Sequence, residues 1–390
     1  MHIGTVKLAD TVFVKRMTMA GLGLAGLGIV LSILSAFGDW DRFLFGYLIG
    51  FVFFAGVAIT GVFFSMLQYL VRAGWSVSIR RIPEFMGAFV PFLLVLMVPV
   101  ALGVGTLYHH WVHPEHGDVI MAGKKAWLNT PFFLARLGAY YLIWLALYYV
   151  IVGNSFRQDT TTDLKYTERN WKLSAPGMIV FGVTITFAAF DVIMSLSPHW
   201  YSTIYGVYYF AGSLVATLAI LCIIAVALRR AGLLTEWLTP ARFHDLGKLL
   251  FAFNVFWAYI AFSQYLLIWY ANIPEEVVFF KARFENGWQY VSYTIVFAHF
   301  FVPFIILLSQ EAKKNLNVLL TGAVILLLSH FIDVYWLIMP NHSPEAVVIG
   351  WQELAPWLGI GGLFLLVVAW QFRRRNAIPV NDPFLAEGAH

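Results

Sequence analysis

The chain has 390 residues, of which 60% are hydrophobic and only 12% charged, and its mean hydropathy is +0.76. A soluble domain carries about 25% charged residues, so this composition, with 35 Phe, 15 Trp and 18 Tyr, describes an integral membrane protein. The net charge of +4 is no nucleic-acid signal, and the single cysteine, Cys222, excludes an internal disulfide, a CxxC zinc site and an all-cysteine iron–sulfur cluster.

A membrane span needs about 20 apolar residues. Ten stretches qualify: 17–37, 43–71, 83–108, 131–152, 175–196, 202–228, 247–273, 288–309, 315–339 and 350–371. All are too long and too continuously apolar for strands, so the expected fold is an all-α, ten-helix, multi-pass bundle. No cleavable signal stands out in "MHIGTVKLADTVFVKR". Nineteen of the 25 Lys and Arg fall on the N-terminal side of the alternating loops and five on the other, and Arg136 lies inside the fourth span. By the positive-inside rule both termini are cytoplasmic. No loop is long enough for a soluble domain. Residues 372–390 read as a basic stop and a cytoplasmic tail.

Ionisable groups inside spans are costly and mark pathways or paired sites. The fifth span contains "FDVIMSLSP" and the ninth "IDVYWLIMP": Asp191 and Asp333 each lie seven residues before a proline, Pro198 and Pro340. That places both roughly 10 Å inside the outer boundary. The match suggests two similar four-helix bundles, 43–196 (helices 2–5) and 202–339 (helices 6–9), with helices 1 and 10 peripheral. Arg136 runs inward from Pro131 to the depth of Asp191, so the two are expected to pair. His330 and Asp333 share a helix face, and His299 lies on the preceding span. Histidine beside a carboxylate suits proton exchange; two histidines on adjacent spans also suit a haem.

In the seventh span Asn254, Ala258, Ala261, Tyr265 and Trp269 form one stripe, Tyr259 and Ser263 another, and Gln264 lies beside the first. Either polar face is a candidate lining for a hydrated path, with Asp245 at its cytoplasmic mouth; hydrogen bonding between helices is the plainer use. Glu84 occupies the corresponding mouth in the third span, which Pro91 and Pro99 should kink. The outer loop offers His109, His110, His113, Glu115 and His116, whose spacing fits no standard metal site.

The segments "FHDLGKLLFAFNVFWAYIAFSQYLLIWYANIPEE" (243–276) and "FDVIMSLSPHWYSTIYGVYYFAG" (190–212) resemble the NrfD/polysulfide-reductase-like membrane family, more narrowly the ActF-type subunits of bacterial alternative complex III. The resemblance implies a subunit of a quinol:cytochrome c oxidoreductase in the bacterial inner membrane. It implies partners: a second NrfD-like subunit, multihaem cytochrome c and iron–sulfur subunits, and small membrane subunits among the lipids. Haem c and iron–sulfur clusters would sit in those partners, with none on this chain, while a quinone such as menaquinone is its possible ligand. Arg136, Asp191, His299, His330 and Asp333 become outer proton-path candidates, and Glu84, Asp245, Asn254, Tyr259, Gln264 and Tyr265 inner ones. Two other classes fit the composition: a structural anchor for redox subunits, and a repeat-built secondary transporter.

Overall fold

The structure, a computed structural model, describes residues 6–387; residues 1–5 and the tail end 388–390 lie outside it. Among the described residues there is no strand, and ten helices are long and apolar enough to cross a membrane. They are α1 (Val12–Gly38), α2 (Trp40–Leu70), α3 (Arg81–Leu102), α4 (Thr130–Gln158), α5 (Lys165–Leu196), α6 (Tyr205–Arg230), α7 (Pro240–Ala271), α8 (Trp288–Ile306), α9 (Leu316–Asn341) and α10 (Trp351–Arg374). Hydropathy locates each, but α5 begins ten residues before its apolar stretch. The segment KYTERNWKLS is polar yet free of helix breakers, and turns of helix extend past the apolar core.

Helix ends follow local chemistry. Thr11, Asp39, Asn129 and Asn315 each accept a backbone N–H in the first turn of α1, α2, α4 and α9. Helix α7 stops at Asn272, which adopts a left-handed conformation. Helix α3 is broken into short pieces around Pro91 and Pro99, each of which removes a backbone donor. Two spans contain wide π-type turns, Tyr148–Val152 in α4 and Ile295–Phe301 in α8.

Helices α2 and α6 are buried almost along their whole length and pack on one another. Small and hydroxyl residues bring them close. Thr60 Oγ1 lies 2.5 Å from Thr217 Oγ1, Thr217 also donates to the Val57 carbonyl, and the Tyr209 hydroxyl donates to the Val52 carbonyl at 2.7 Å. A methyl group on Gly56 would meet Ser213 Oγ at 2.3 Å, so the approach requires glycine. Around α2 lie α3, α5 and α10; around α6 lie α5, α7 and α9.

Helix α1 is largely exposed and docks on α10 through Gly21, Ala25 and Gly28. A Cβ on Gly28 would sit 2.1 Å from the Gly359 nitrogen, so backbone meets backbone there. At the other end of the molecule the tail folds back over α3, α4 and α7. Asp382 pairs with Arg80, Asn381 donates to the Asp159 carbonyl, and Arg242 donates to the Glu387 carbonyl. Ile378 and Leu385 pack with Val77 and Trp237 in a small separate apolar cluster. The tail, read from sequence as a simple extension, is thus a strap.

Candidate functional site

Asp191 and Asp333 have different surroundings. Asp191 is fully buried on α5. Arg136 on α4 grips it with a two-pronged contact, Nε to Oδ2 and Nη2 to Oδ1, both 2.8 Å. Tyr140 OH donates to Oδ2 at 2.7 Å and Trp127 Nε1 to Oδ1 at 3.0 Å. The guanidinium also donates to the Trp127 carbonyl at 2.9 Å and lies between the Trp127 and Phe132 rings, 4.2 and 4.3 Å from their centroids. Four donors, two of them on the arginine, thus occupy both carboxylate oxygens. The pairing expected between Arg136 and Asp191 is present. Trp127 and Tyr140 were not anticipated, although Tyr140 stands four residues after Arg136 on the same helix face.

Asp333 on α9 is also buried but, among the described residues, has no cation within ion-pair distance except the histidine beside it. Tyr208 on α6 donates to Oδ1, and His330 Nδ1 lies 3.6 Å from Oδ2. His299, in the wide turn of α8, presents its ring 6.2 Å from that of His330. Trp257 on α7 stacks on His299 at 3.7 Å, and Phe53 lies 5.1 Å from His330. All four ring nitrogens of the two histidines are buried without a hydrogen-bond partner, as is Asn254 Oδ1. Gly212 on α6 allows the contact, because a Cβ there would lie 2.8 Å from His330 Cε1. Among the described residues His299, His330 and Asp333 form the group whose ligand atoms converge, all within 4.8 Å, and they are the residues with the donor set to hold a metal ion. The outer-loop histidines form no such group. Burial and the neighbouring His109 keep the His110 pKa below its ordinary value.

Arg283 stands near this cluster without neutralising it. It is fully buried, donates to the carbonyls of Phe279, Trp336 and Leu337 at 2.9–3.1 Å, and lies 3.4 Å above the Phe279 ring. It therefore caps the end of α9, where carbonyls lack helical partners. Burial pulls its pKa down from the usual arginine value. The sequence offered only a loop arginine here.

A groove of about 610 Å³ between α7 and α8 leads toward the cluster. Tyr208 and Trp257 line its inner end and exposed Phe262 and Phe297 its rim. Ala258 and Ala261 provide the space, as their spacing suggests, with Gln264 and Tyr265 beside them. The walls of this groove are mostly aromatic and apolar. Gln264 accepts from Ser202 at 3.2 Å. Tyr259 is 65% exposed on the outer face of α7 and does not join the cluster.

The inner acids are tied up. Glu84 is buried and accepts from Arg81 at 2.7 Å, Arg80 at 3.3 Å and Ser155 at 2.7 Å. Arg81 continues to Asp159 at 2.5 Å. Asp245, partly exposed, sits between Arg242 at 3.2 Å and Lys248 at 2.8 Å. The structure therefore brings together His299, His330 and Asp333, joins Arg136 to Asp191, and leaves Glu84, Asp245, Gln264 and Tyr259 apart. No protein-family model matches the chain, and no curated protein matches it.

Proposed function

We propose that the chain is a membrane subunit of a quinol:electron-acceptor oxidoreductase complex in the bacterial inner membrane, and that its second half exchanges protons at the Asp333–His330–His299 cluster. The observation that carries this reading is the contrast between two buried aspartates. Asp191 is matched by Arg136, whereas Asp333 faces two unpartnered histidines and a tyrosine. A buried carboxylate without a fixed cation holds a proton or shares one with a neighbouring base. His330 is that base, Tyr208 orients the carboxylate, and His299 offers the next acceptor across the 6.2 Å between the rings. Small rotations of the two rings then pass a proton between α9 and α8.

The resemblance of 190–212 and 243–276 to NrfD-like subunits supports the quinol assignment and the partners: a second NrfD-like chain with multihaem cytochrome c and iron–sulfur subunits. In this reading helices α2–α5 and α6–α9 are two equivalent bundles and both termini are cytoplasmic, in keeping with the Lys and Arg distribution. The chain carries no redox group itself, and a quinone such as menaquinone is the reductant it serves. The test is Asp333→Asn in the assembled complex. Quinol turnover should persist while protons moved per electron fall; an unchanged proton-to-electron ratio refutes the proposal.

A further inference from the structure

A second groove, of about 520 Å³, lies at the Lys/Arg-rich end of the molecule between α3, α4 and α10. The chain's irregularities create it. Pro91 breaks α3 on one wall. The wide turn Tyr148–Val152 displaces α4 on the other, and Gly153, with open space where a Cβ would be, keeps that wall thin. The depth is mostly apolar, formed by buried Ala88, Tyr148 and Phe156, and exposed Phe92 and Tyr149 flank it. The rim carries Arg157 and Arg375, both exposed and neither within ion-pair distance of a carboxylate among the described residues. The acids nearby are already matched: Glu84 and Asp159 by Arg81, and Asp382 by Arg80. Arg375 is held over the Phe156 ring at 4.6 Å, so its charge is fixed at the opening.

Between rim and depth stands Gln371. It lines the groove and is 4% exposed, yet its side-chain amide makes no hydrogen bond among the described residues. Its amide atoms keep some accessible surface, so they are open to a ligand in the groove. Trp370 beside it belongs to a residue type that settles at the headgroup level of a bilayer.

We propose that this groove is a binding site for an anionic phospholipid. The phosphate sits between Arg157 and Arg375, the Gln371 amide donates to a phosphate or ester oxygen, and one acyl chain lies on Phe92 and Tyr149. Two unmatched arginines recognise the phosphodiester by charge, and the apolar depth separates a lipid from free phosphate. The inference is independent of the proton-exchange reading, since none of its residues belongs to the Asp333 cluster.

The test uses the purified complex, delipidated in neutral detergent and returned to nanodiscs of phosphatidylcholine with or without phosphatidylglycerol. Tightly held lipid is counted by phosphorus NMR and native mass spectrometry. Wild type should retain phosphatidylglycerol over phosphatidylcholine. Arg157→Gln/Arg375→Gln should weaken that retention roughly 30-fold, the value for two interfacial arginines. Arg72→Gln, a basic residue stacked instead on Trp171, should leave it unchanged. Equal retention of the two lipids by wild type overturns the proposal without any variant. Displacement of phosphatidylglycerol by millimolar inorganic phosphate also overturns it, because the site would then be an anion site and not a lipid site.

Discussion

Replacing Arg136 with leucine isolates the worth of the first-half ion pair. The substitution removes two charge-assisted bonds to Asp191 and leaves a carboxylate that is 0% exposed with only Tyr140 and Trp127 as donors. Breaking a buried pair from one side costs about 3–5 kcal/mol. Two bonds to a charged group, at about 1.5–3 kcal/mol each, lead to the same range. Removing both charges, in Arg136→Leu/Asp191→Leu, should return most of that loss and leave the double variant within about 1–2 kcal/mol of wild type, since a packed apolar pair replaces the ion pair at little net cost. Equilibrium unfolding of the detergent-solubilised wild type, the two single variants (Arg136→Leu and Asp191→Leu) and the double variant yields the coupling energy. Losses that simply add, with a coupling below about 1 kcal/mol, refute the reading of Asp191 as a carboxylate locked by its arginine.

The same logic gives the opposite result in the second half. Asp333→Asn should change stability by less than about 1 kcal/mol in the same unfolding experiment, because no fixed cation is stranded by the substitution. Gly28→Leu should separate α1 from α10, where the Gly359 backbone stands 2.1 Å from the site of a Cβ, and the thermal midpoint should fall. Arg283→Met removes a donor from the carbonyls of Trp336 and Leu337 at the end of α9 and from that of Phe279, and should destabilise the protein by about 1–3 kcal/mol, again read by unfolding. Asp118 caps the short helix Val119–Lys124 through the Met121 N–H, and that bond, with His199, lowers its pKa. A depressed carboxylate stabilises above its unfolded pKa and loses that contribution as pH falls through the folded one. Hydrogen exchange at Met121 should therefore speed up, relative to its neighbours, on acidification below the ordinary aspartate range.

Much of this arrangement was readable from the sequence because membrane geometry is restrictive. Direction and depth follow from counting residues along a helix, so Arg136 and Asp191 could be paired across 55 positions without a structure. The seven-residue step from each aspartate to its proline singled out Asp333 as the residue to compare with Asp191. Rotation about the helix axis was harder. A 3.6-residue period groups Asn254 with Ala258 and Ala261 but does not say which group faces inward, and Tyr259 turned out to face away. Packing decided that face, because α7 packs on α6 and buries Leu250, Asn254 and Trp257. The wide turn that carries His299 inward has no clear sequence signature. The locking of Glu84 had one: Arg80 and Arg81 precede it by four and three residues, the spacing of helical ion pairs. The strap formed by the tail rests on single polar contacts and a few apolar side chains, too sparse a pattern to stand out beside ten spans.

The hydroxyl and glycine contacts between α2 and α6 have a mechanical consequence. Alternating-access transporters rock one half of the molecule against the other, and their halves meet on surfaces that slide. Here Thr60 bonds Thr217, Tyr209 reaches the backbone of α2, and Gly56 lies under Ser213. A displacement of even 2 Å along this line would break three buried bonds and drive side chain into backbone. These contacts lock α2 and α6 together as one tightly packed pair at the centre of the molecule.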